Sequence, residues 1–115
     1  MEKHCTMKHF NDSHLEIKKY FKGTLETLPY EAGWADEAIF FVCVEKVNGT
    51  PAMKAQVQLS QDGIRWADDG SEPTVIEGVG LHIIKVAPNF GNYIRLRADI
   101  TGGEMFLNLH IACKG

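Results

Sequence analysis

The sequence is poor in proline and cysteine and has no long apolar run, and each shortage excludes a class of protein. Four prolines in 115 residues are too few for a proline-rich linker or a fibre. Three widely separated cysteines, Cys5, Cys43 and Cys113, are a poor disulfide framework and favour synthesis in a reducing compartment. The longest apolar stretch, residues 38–44, has seven residues and is too short to cross a bilayer.

Charge of one sign is also lacking. Twelve basic and fifteen acidic residues leave a net charge of −3, so neither nucleic acid nor an anionic membrane is an expected partner. The first ten residues contain no apolar core and no small-residue cleavage site, so they are not expected to form a secretory signal. The chain is therefore expected to be soluble and made in the cytoplasm.

What the sequence does contain is alternation of apolar and polar residues. Such alternation predicts half-buried β-strands, and it is clearest at residues 53–59, 94–100 and 105–113, with further candidates at 81–86 and 15–21. Residues 37–47 are apolar on both faces and predict a central strand or one that a partner covers.

Turn residues separate these strands at regular intervals, for example at residues 48–51, 61–63 and 101–103. About eight strands with such spacing predict an all-β, antiparallel two-sheet sandwich, immunoglobulin-like or jelly-roll in topology. The predicted organisation is an N-terminal arm, residues 1–12, followed by a single sandwich domain, residues 13–115.

No arrangement of histidines predicts a metal site. His4, His9 and His14 are spaced by five and share no face of a helix or strand, and no acidic residue lies at a recognised ligand spacing. His110 and Cys113 are three apart and point to opposite sides of a strand. A cupin-type barrel would need His-x-His followed by Glu, which the sequence lacks.

Nucleophilic and acid catalysis are equally unsupported. There is no Gly-x-Ser-x-Gly elbow, and Ser60 is better placed to cap the turn that follows it. Asp62, Asp68 and Asp69 lie in turn-rich segments without the ordered spacing of a calcium loop. We therefore expect neither an enzyme nor a cofactor.

Aromatic residues beside loops indicate binding more directly. Trp34, Trp66 and Tyr93 flank predicted turns, where exposed rings stack on sugars or anchor protein interfaces. The alternative for Trp66 is that it plugs one end of the sandwich. Arg95 and Arg97 share a polar strand face with Asp99, which predicts an ion pair between strands.

From residue 48 onward the chain resembles a family of small β-sandwich proteins of bacteriophages and prophage-like clusters. The matching pieces are Gly-Thr-Pro at 49–51, Ala-Gln-Val-Gln-Leu-Ser at 55–60, Asp-Gly-x-x-Trp at 62–66, Asn-Phe-Gly-Asn-Tyr-Ile-Arg-Leu at 89–96, Thr-Gly at 101–102, and a closing strand that ends at Lys114. They cover roughly the last two thirds of the chain. The resemblance implies a structural or accessory virion subunit with no cofactor and no catalysis, although the His- and Lys-bearing arm departs from the family pattern.

The predicted function is a non-enzymatic structural or interaction subunit that assembles with itself and with other proteins of a phage-like particle. A small sandwich covers only one face of the strand at residues 39–44 with its own second sheet, so the other face is a candidate contact surface. The arm, through Met7 and Phe10, is expected to add a strand to a neighbouring copy. The predicted interface residues are Met7, Phe10, Trp34, Phe40, Val42 and Trp66.

Two other functions stay open. The first is a carbohydrate-binding module in which Trp34, Trp66 and Tyr93 stack on sugar rings. The second, more remote, is a small metal enzyme of cupin type. Oligomeric state distinguishes the leading hypothesis from the carbohydrate-binding module, and the metal content of the purified protein tests the cupin-type enzyme.

Overall fold

The computed structural model describes residues 12–88 and 90–115, and all regular elements in these residues are β-strands. In chain order they are β1 (Asp12–Glu26), β2 (Tyr30–Glu31), β3 (Glu37–Ser60), β4 (Ala67–Asp68), β5 (Thr74–Glu77), β6 (Gly80–Lys85) and β7 (Tyr93–Lys114). Every strand pairing is antiparallel, so the predicted fold class is confirmed.

Two strands are much longer than the sequence predicts. β3 and β7 pair along their whole lengths, from Glu37 opposite Lys114 to Ser60 opposite Tyr93. The turn residues at 48–51 and 101–103 therefore lie inside strands, where the chain bends without ending the ladder. Two pairs of predicted strands become single bent strands, and the short strands β2 and β4 appear in addition, so the described residues form seven strands where about eight were predicted.

Glycines with positive φ lie at these bends. Gly23 in β1 has φ 70°, Gly49 in β3 has φ 81° and Gly102 in β7 has φ 84°. The strand register shifts beside Gly23 and beside Gly49. A Cβ atom on Gly103 would overlap the carbonyl oxygen of Asn48, so the backbones of β3 and β7 approach more closely here than side chains permit. The sheet bends along this line of glycines.

The bend divides one continuous sheet into two layers that enclose the core. The β6 sheet comprises β6 and the segments of β1, β3 and β7 at residues 12–22, 37–48 and 104–114. The β5 sheet comprises β2, β4, β5 and the segments at residues 23–26, 52–60 and 93–101. A single hydrophobic cluster takes residues from both sheets, among them Phe40, Leu107, Met53 and Leu96.

The first part of β3 is a central strand, as predicted, because β6 pairs with one side of it and β7 with the other. The interface assignment of Phe40 and Val42 needs correction, however. Phe40 is 1% exposed and Val42 is fully buried, and both belong to the core. The side chains of Ile39 and Phe41 alternate with them and therefore point to the outer face.

Cys43 and Cys113 are both buried. Cys113 is a free thiol, whereas Cys43 is disulfide-bonded, so the expectation that these cysteines form no disulfide is wrong for Cys43. Burial in apolar surroundings raises the pKa of the Cys113 thiol to about 11. In residues 12–88 and 90–115, no helix has the length and apolarity to span a membrane.

Candidate functional site

A group of neighbouring polar side chains lies on the outer face of the β5 sheet. Ile94 and Leu96 are buried, so their neighbours Tyr93, Arg95 and Arg97 point outward from β7. Register brings Gln58 opposite Arg95, while Gln56 and Glu26 both lie opposite Arg97. We call this surface the polar face; it comprises Glu26, Lys54, Gln56, Gln58, Trp66, Asp68, Tyr93, Arg95, Arg97 and Asp99.

The guanidinium group of Arg95 is held from three sides. Its Nε donates a hydrogen bond of 2.8 Å to Oε1 of Gln58, and its Nη2 lies 3.4 Å from Oε2 of Glu26. The indole ring of Trp66 covers it, with 4.3 Å between the guanidinium carbon and the ring centroid. The Arg95 side chain is only 17% exposed as a result. Trp66 therefore lies on the outer face over Arg95, instead of plugging an end of the sandwich.

Arg97 continues the network along β7. Its Nε is 3.5 Å from Oε2 of Glu26, and its Nη1 is 3.3 Å from Oδ2 of Asp99. Thr24 in β1 donates a hydrogen bond of 2.8 Å to Oδ1 of Asp99. The ion pair predicted between strands exists, but its acidic member is Glu26 of β1, whereas Asp99 pairs with Arg97 within one strand. Exposed pairs of this kind are worth about 0–1 kcal/mol each, so they order the surface more than they stabilise the fold.

The loop at residues 61–66 places Trp66 over the sheet. Ser60 Oγ accepts hydrogen bonds from the backbone N–H groups of Gly63 (2.8 Å) and Asp62 (3.3 Å), which confirms the predicted turn cap. Oδ1 of Asp62 accepts the N–H groups of Ile64 and Arg65, each at 2.9 Å. These backbone hydrogen bonds, that of Arg65 foremost, lower the pKa of Asp62 from 3.8 to about 2.

The next two acidic residues are held by glutamines of β3. Gln58 Nε2 donates to Oδ1 of Asp68 and Gln56 Nε2 donates to Oδ1 of Asp69, each at 3.0 Å. Beside them lies a cleft of about 190 Å³, lined by Lys54, Gln56, Asp68, Pro73, Arg97 and Asp99. Within the described ranges, no cluster of three or more His, Cys, Asp or Glu residues is arranged to hold a metal ion.

The outer face of the β6 sheet is apolar at its edge. Among the described strands β6 pairs only with β3, so no described strand pairs with its other edge. Leu81 is 42% exposed and Ile83 is 51% exposed. Ile83 lies opposite Phe41 in the register, and Leu81 lies opposite Cys43, so the apolar row continues onto β3.

The structure brings together two of the three aromatic residues predicted to stack on sugars. Trp66 and Tyr93 both lie on the polar face: the ring of Trp66 covers Arg95, and Tyr93 precedes Arg95 by two residues on the same face of β7. Trp34 is exposed in the loop that crosses between the sheets at the end of the sandwich, against Gly115. Trp34 is thus separated from the polar face, and the aromatic platform predicted from three residues has two members.

Several residues of these surfaces escaped the sequence analysis. The alternation of Gln56 and Gln58 with buried residues was a usable signal, since it places both on the face of β3 that looks away from the core. The same alternation marks Leu81 and Ile83 as outward-facing. Nothing in the sequence assigns Glu26 to Arg95, because that contact depends on the register of β1 against β7.

Comparison with known proteins gives a fold and no family. No family model matches the chain, and no curated protein sequence matches it. Two of the solved structures that resemble it are PBSX exported protein XepA, with a TM-score of 0.69 and 10% identity over 90% of this chain, and PirA, with a TM-score of 0.55 and 10% identity over 93% of this chain. The chain spans 37% of the XepA chain and 96% of the PirA chain. At this identity the likeness establishes a shared β-sandwich-like fold.

Proposed function

We propose that this chain is a non-enzymatic interaction subunit of a phage-like or other self-assembling particle, acting through contacts between copies. The observation that carries the proposal is the edge of β6 with which no described strand pairs, together with the exposed Leu81 and Ile83 on its outer side. Unpaired N–H and C=O groups on an edge strand are a template for another strand, and soluble proteins usually protect such edges with charge or proline. β6 has only Lys85, at its end, for this purpose.

A second copy fits this edge by symmetry. When two antiparallel β6 strands meet about a two-fold axis, Leu81 can lie opposite Ile83 of the partner subunit and Ile83 opposite the partner subunit's Leu81. Side chains that face each other across such a pair lie on the same side of the sheet. The pairing therefore joins the apolar rows of both copies and extends the four-stranded layer of each into one of eight.

The likeness to a phage PBSX exported protein supports the particle context, as does the resemblance of residues 49–114 to phage β-sandwich proteins. Synthesis in the cytoplasm followed by residence in a virion or assembled particle belongs to the same proposal. The strand that the arm, residues 1–12, would add to a neighbour through Met7 and Phe10 stays a prediction. Met7 and Phe10 lie outside the described residues, since β1 begins at Asp12.

Light scattering after size-exclusion chromatography tests the proposal. The intact chain is expected to run as a dimer or larger assembly, and Ile83→Lys is expected to lower its mass to that of a monomer, because the lysine charge would be buried between the edges. Val75→Lys is the matched control, since Val75 is 62% exposed on β5 in the other sheet. A monomeric wild-type chain at every soluble concentration would refute assembly through copies. Equal masses for Ile83→Lys and the wild-type oligomer would refute the β6 contact.

A further inference from the structure

The polar face of the β5 sheet has a rigid aromatic surface next to a row of polar groups. We infer that it is a binding site for neutral carbohydrate, with Trp66 as the stacking surface and the cleft beside Asp68 as the hydrogen-bonding subsite. This inference goes beyond the proposed assembly, because it concerns the opposite sheet and does not require the β6 contact.

Trp66 is held in place before any ligand arrives. Arg95 covers one face of the indole at 4.3 Å and is itself fixed by Gln58 and Glu26, and the Trp66 side chain is half-buried. A flat, half-buried ring that is fixed on one face suits the apolar C–H face of a sugar. Its fixed position reduces the entropy lost on binding. Tyr93, from the same side of β7, lies beside the loop that carries the ring, against Gly63.

Hydrogen-bonding groups of both kinds line the cleft next to this ring. Lys54 and Arg97 are donors, Asp68 and Asp99 are acceptors, and Gln56 has both an acceptor and donors. Gln58 holds Oδ1 of Asp68, and Arg97 is held by Glu26 and Asp99. Each sugar hydroxyl group both donates and accepts hydrogen bonds. A cleft lined by fixed donors and acceptors together therefore matches a sugar better than a cleft lined by donors alone or acceptors alone.

Charge decides between sugar classes. The polar face has three basic residues, Lys54, Arg95 and Arg97, and three acidic residues, Glu26, Asp68 and Asp99, several of them already paired with each other. A sulfated or uronic-acid sugar would meet as much repulsion as attraction, and the phosphates of single-stranded nucleic acid would as well. A neutral glycan incurs no such repulsion.

The shape of the site indicates how a glycan would lie. A cleft of about 190 Å³ is smaller than the roughly 300–1,000 Å³ of enclosed small-molecule sites. One sugar unit would therefore lie over Trp66, and its neighbour would direct hydroxyl groups toward Asp68 and Arg97. The chain of the glycan would extend across the sheet surface and stay in contact with solvent.

Native affinity electrophoresis tests the site with the full-length chain. The gels would contain dextran, mannan or galactan as neutral probes, dextran sulfate as a charged probe, or single-stranded DNA. We expect at least one neutral polysaccharide to retard the protein, with little effect of salt because no ion pair is formed with the ligand. Retardation by none of the neutral probes, or only by dextran sulfate or DNA, would overturn the inference.

Substitutions locate the binding. Trp66→Ala is expected to weaken the apparent affinity at least tenfold, and Trp66→Phe to restore part of it. Asp68→Ala, at an exposed position, is expected to weaken it severalfold. Trp34→Ala is the matched control, because it removes an exposed tryptophan from the end of the sandwich, and it should bind as the wild type does.

Urea denaturation of each variant separates lost binding from lost folding. If Trp66→Ala unfolds, the decision rests on Asp68→Ala and Trp66→Phe, which leave the core unchanged. The site would be refuted if Asp68→Ala and Trp66→Ala were both retarded as strongly as the wild type. If Trp66→Ala unfolds, Trp66→Phe takes its place in this comparison. Loss of binding in Trp34→Ala alone would also refute the site. None of these outcomes depends on oligomeric state, so they are separable from the test of assembly.

Discussion

Replacing Gly103 with alanine tests the bend that turns one sheet into two layers. Gly103 lies opposite Gly49 where β7 crosses β3, and its φ of 155° lies in a region that residues with a Cβ atom rarely occupy. A Cβ atom there would overlap the carbonyl oxygen of Asn48, which is backbone and cannot rotate away as a side chain would. The strand must therefore move, and the bend must open.

The expected loss follows from two contributions. The unfavourable φ costs about 1–3 kcal/mol. Displacing the strand adds about 1–3 kcal/mol of overpacking, together with roughly 1 kcal/mol for a weakened ladder hydrogen bond. The sum is about 3–7 kcal/mol, a large part of the roughly 5–15 kcal/mol by which domains of this kind are stable.

Gly70→Ala provides the matched control, because Gly70 has φ 90° but no atom within 4 Å of the position its Cβ would take. Only the φ contribution of about 1–2 kcal/mol applies to it. In urea denaturation, with a slope of about 2 kcal/mol per molar, a difference of about 2 kcal/mol moves the midpoint by about 1 M. Equal midpoints for the two variants would refute the steric account of the bend.

Three further predictions concern the core, the loop and the thiol. Phe40→Ala should lower the free energy of unfolding by about 3–5 kcal/mol, and Ile83→Ala by well under half of that; similar losses would show that the core face of β3 is wrongly assigned. Because the pKa of Asp62 is lowered from 3.8 to about 2, its contribution to stability is complete above pH 4 and is lost as the pH falls toward 2, so Asp62→Asn should remove that part of the acid dependence measured by urea denaturation. Because burial raises the pKa of Cys113 from 9.0 to about 11, its contribution is complete below pH 9 and is lost as the pH rises toward 11. Cys113→Ala should flatten this alkaline decline, and rapid alkylation of Cys113 by iodoacetamide in the native protein would contradict its burial.

The sequence by itself determined the secondary structure class and much of the local structure. A side-chain period of two is a property of any extended strand, so the alternation at residues 94–100 and 105–113 predicts β7 without knowledge of its neighbours. The turn at Ser60 was also predictable, because a hydroxyl group two or three residues before free backbone N–H groups caps a turn locally. The role of the first part of β3 as a central strand followed from its two apolar faces.

Only the tertiary structure decided which contacts those elements make. Alternation shows that residues 39–44 have two apolar faces, but the packing of the β5 sheet against one of them makes Phe40 and Val42 core residues. Local preferences cannot distinguish a turn that ends a strand from a bend within it, so the continuity of β3 through Gly49 emerges from its pairing with β7. The polar face has the same origin, since Glu26 reaches Arg95, 69 residues further along the chain, through strand register alone. Period-two patterning is a local property of each strand, whereas register and layer packing are set by the free energy of burying the whole core at once.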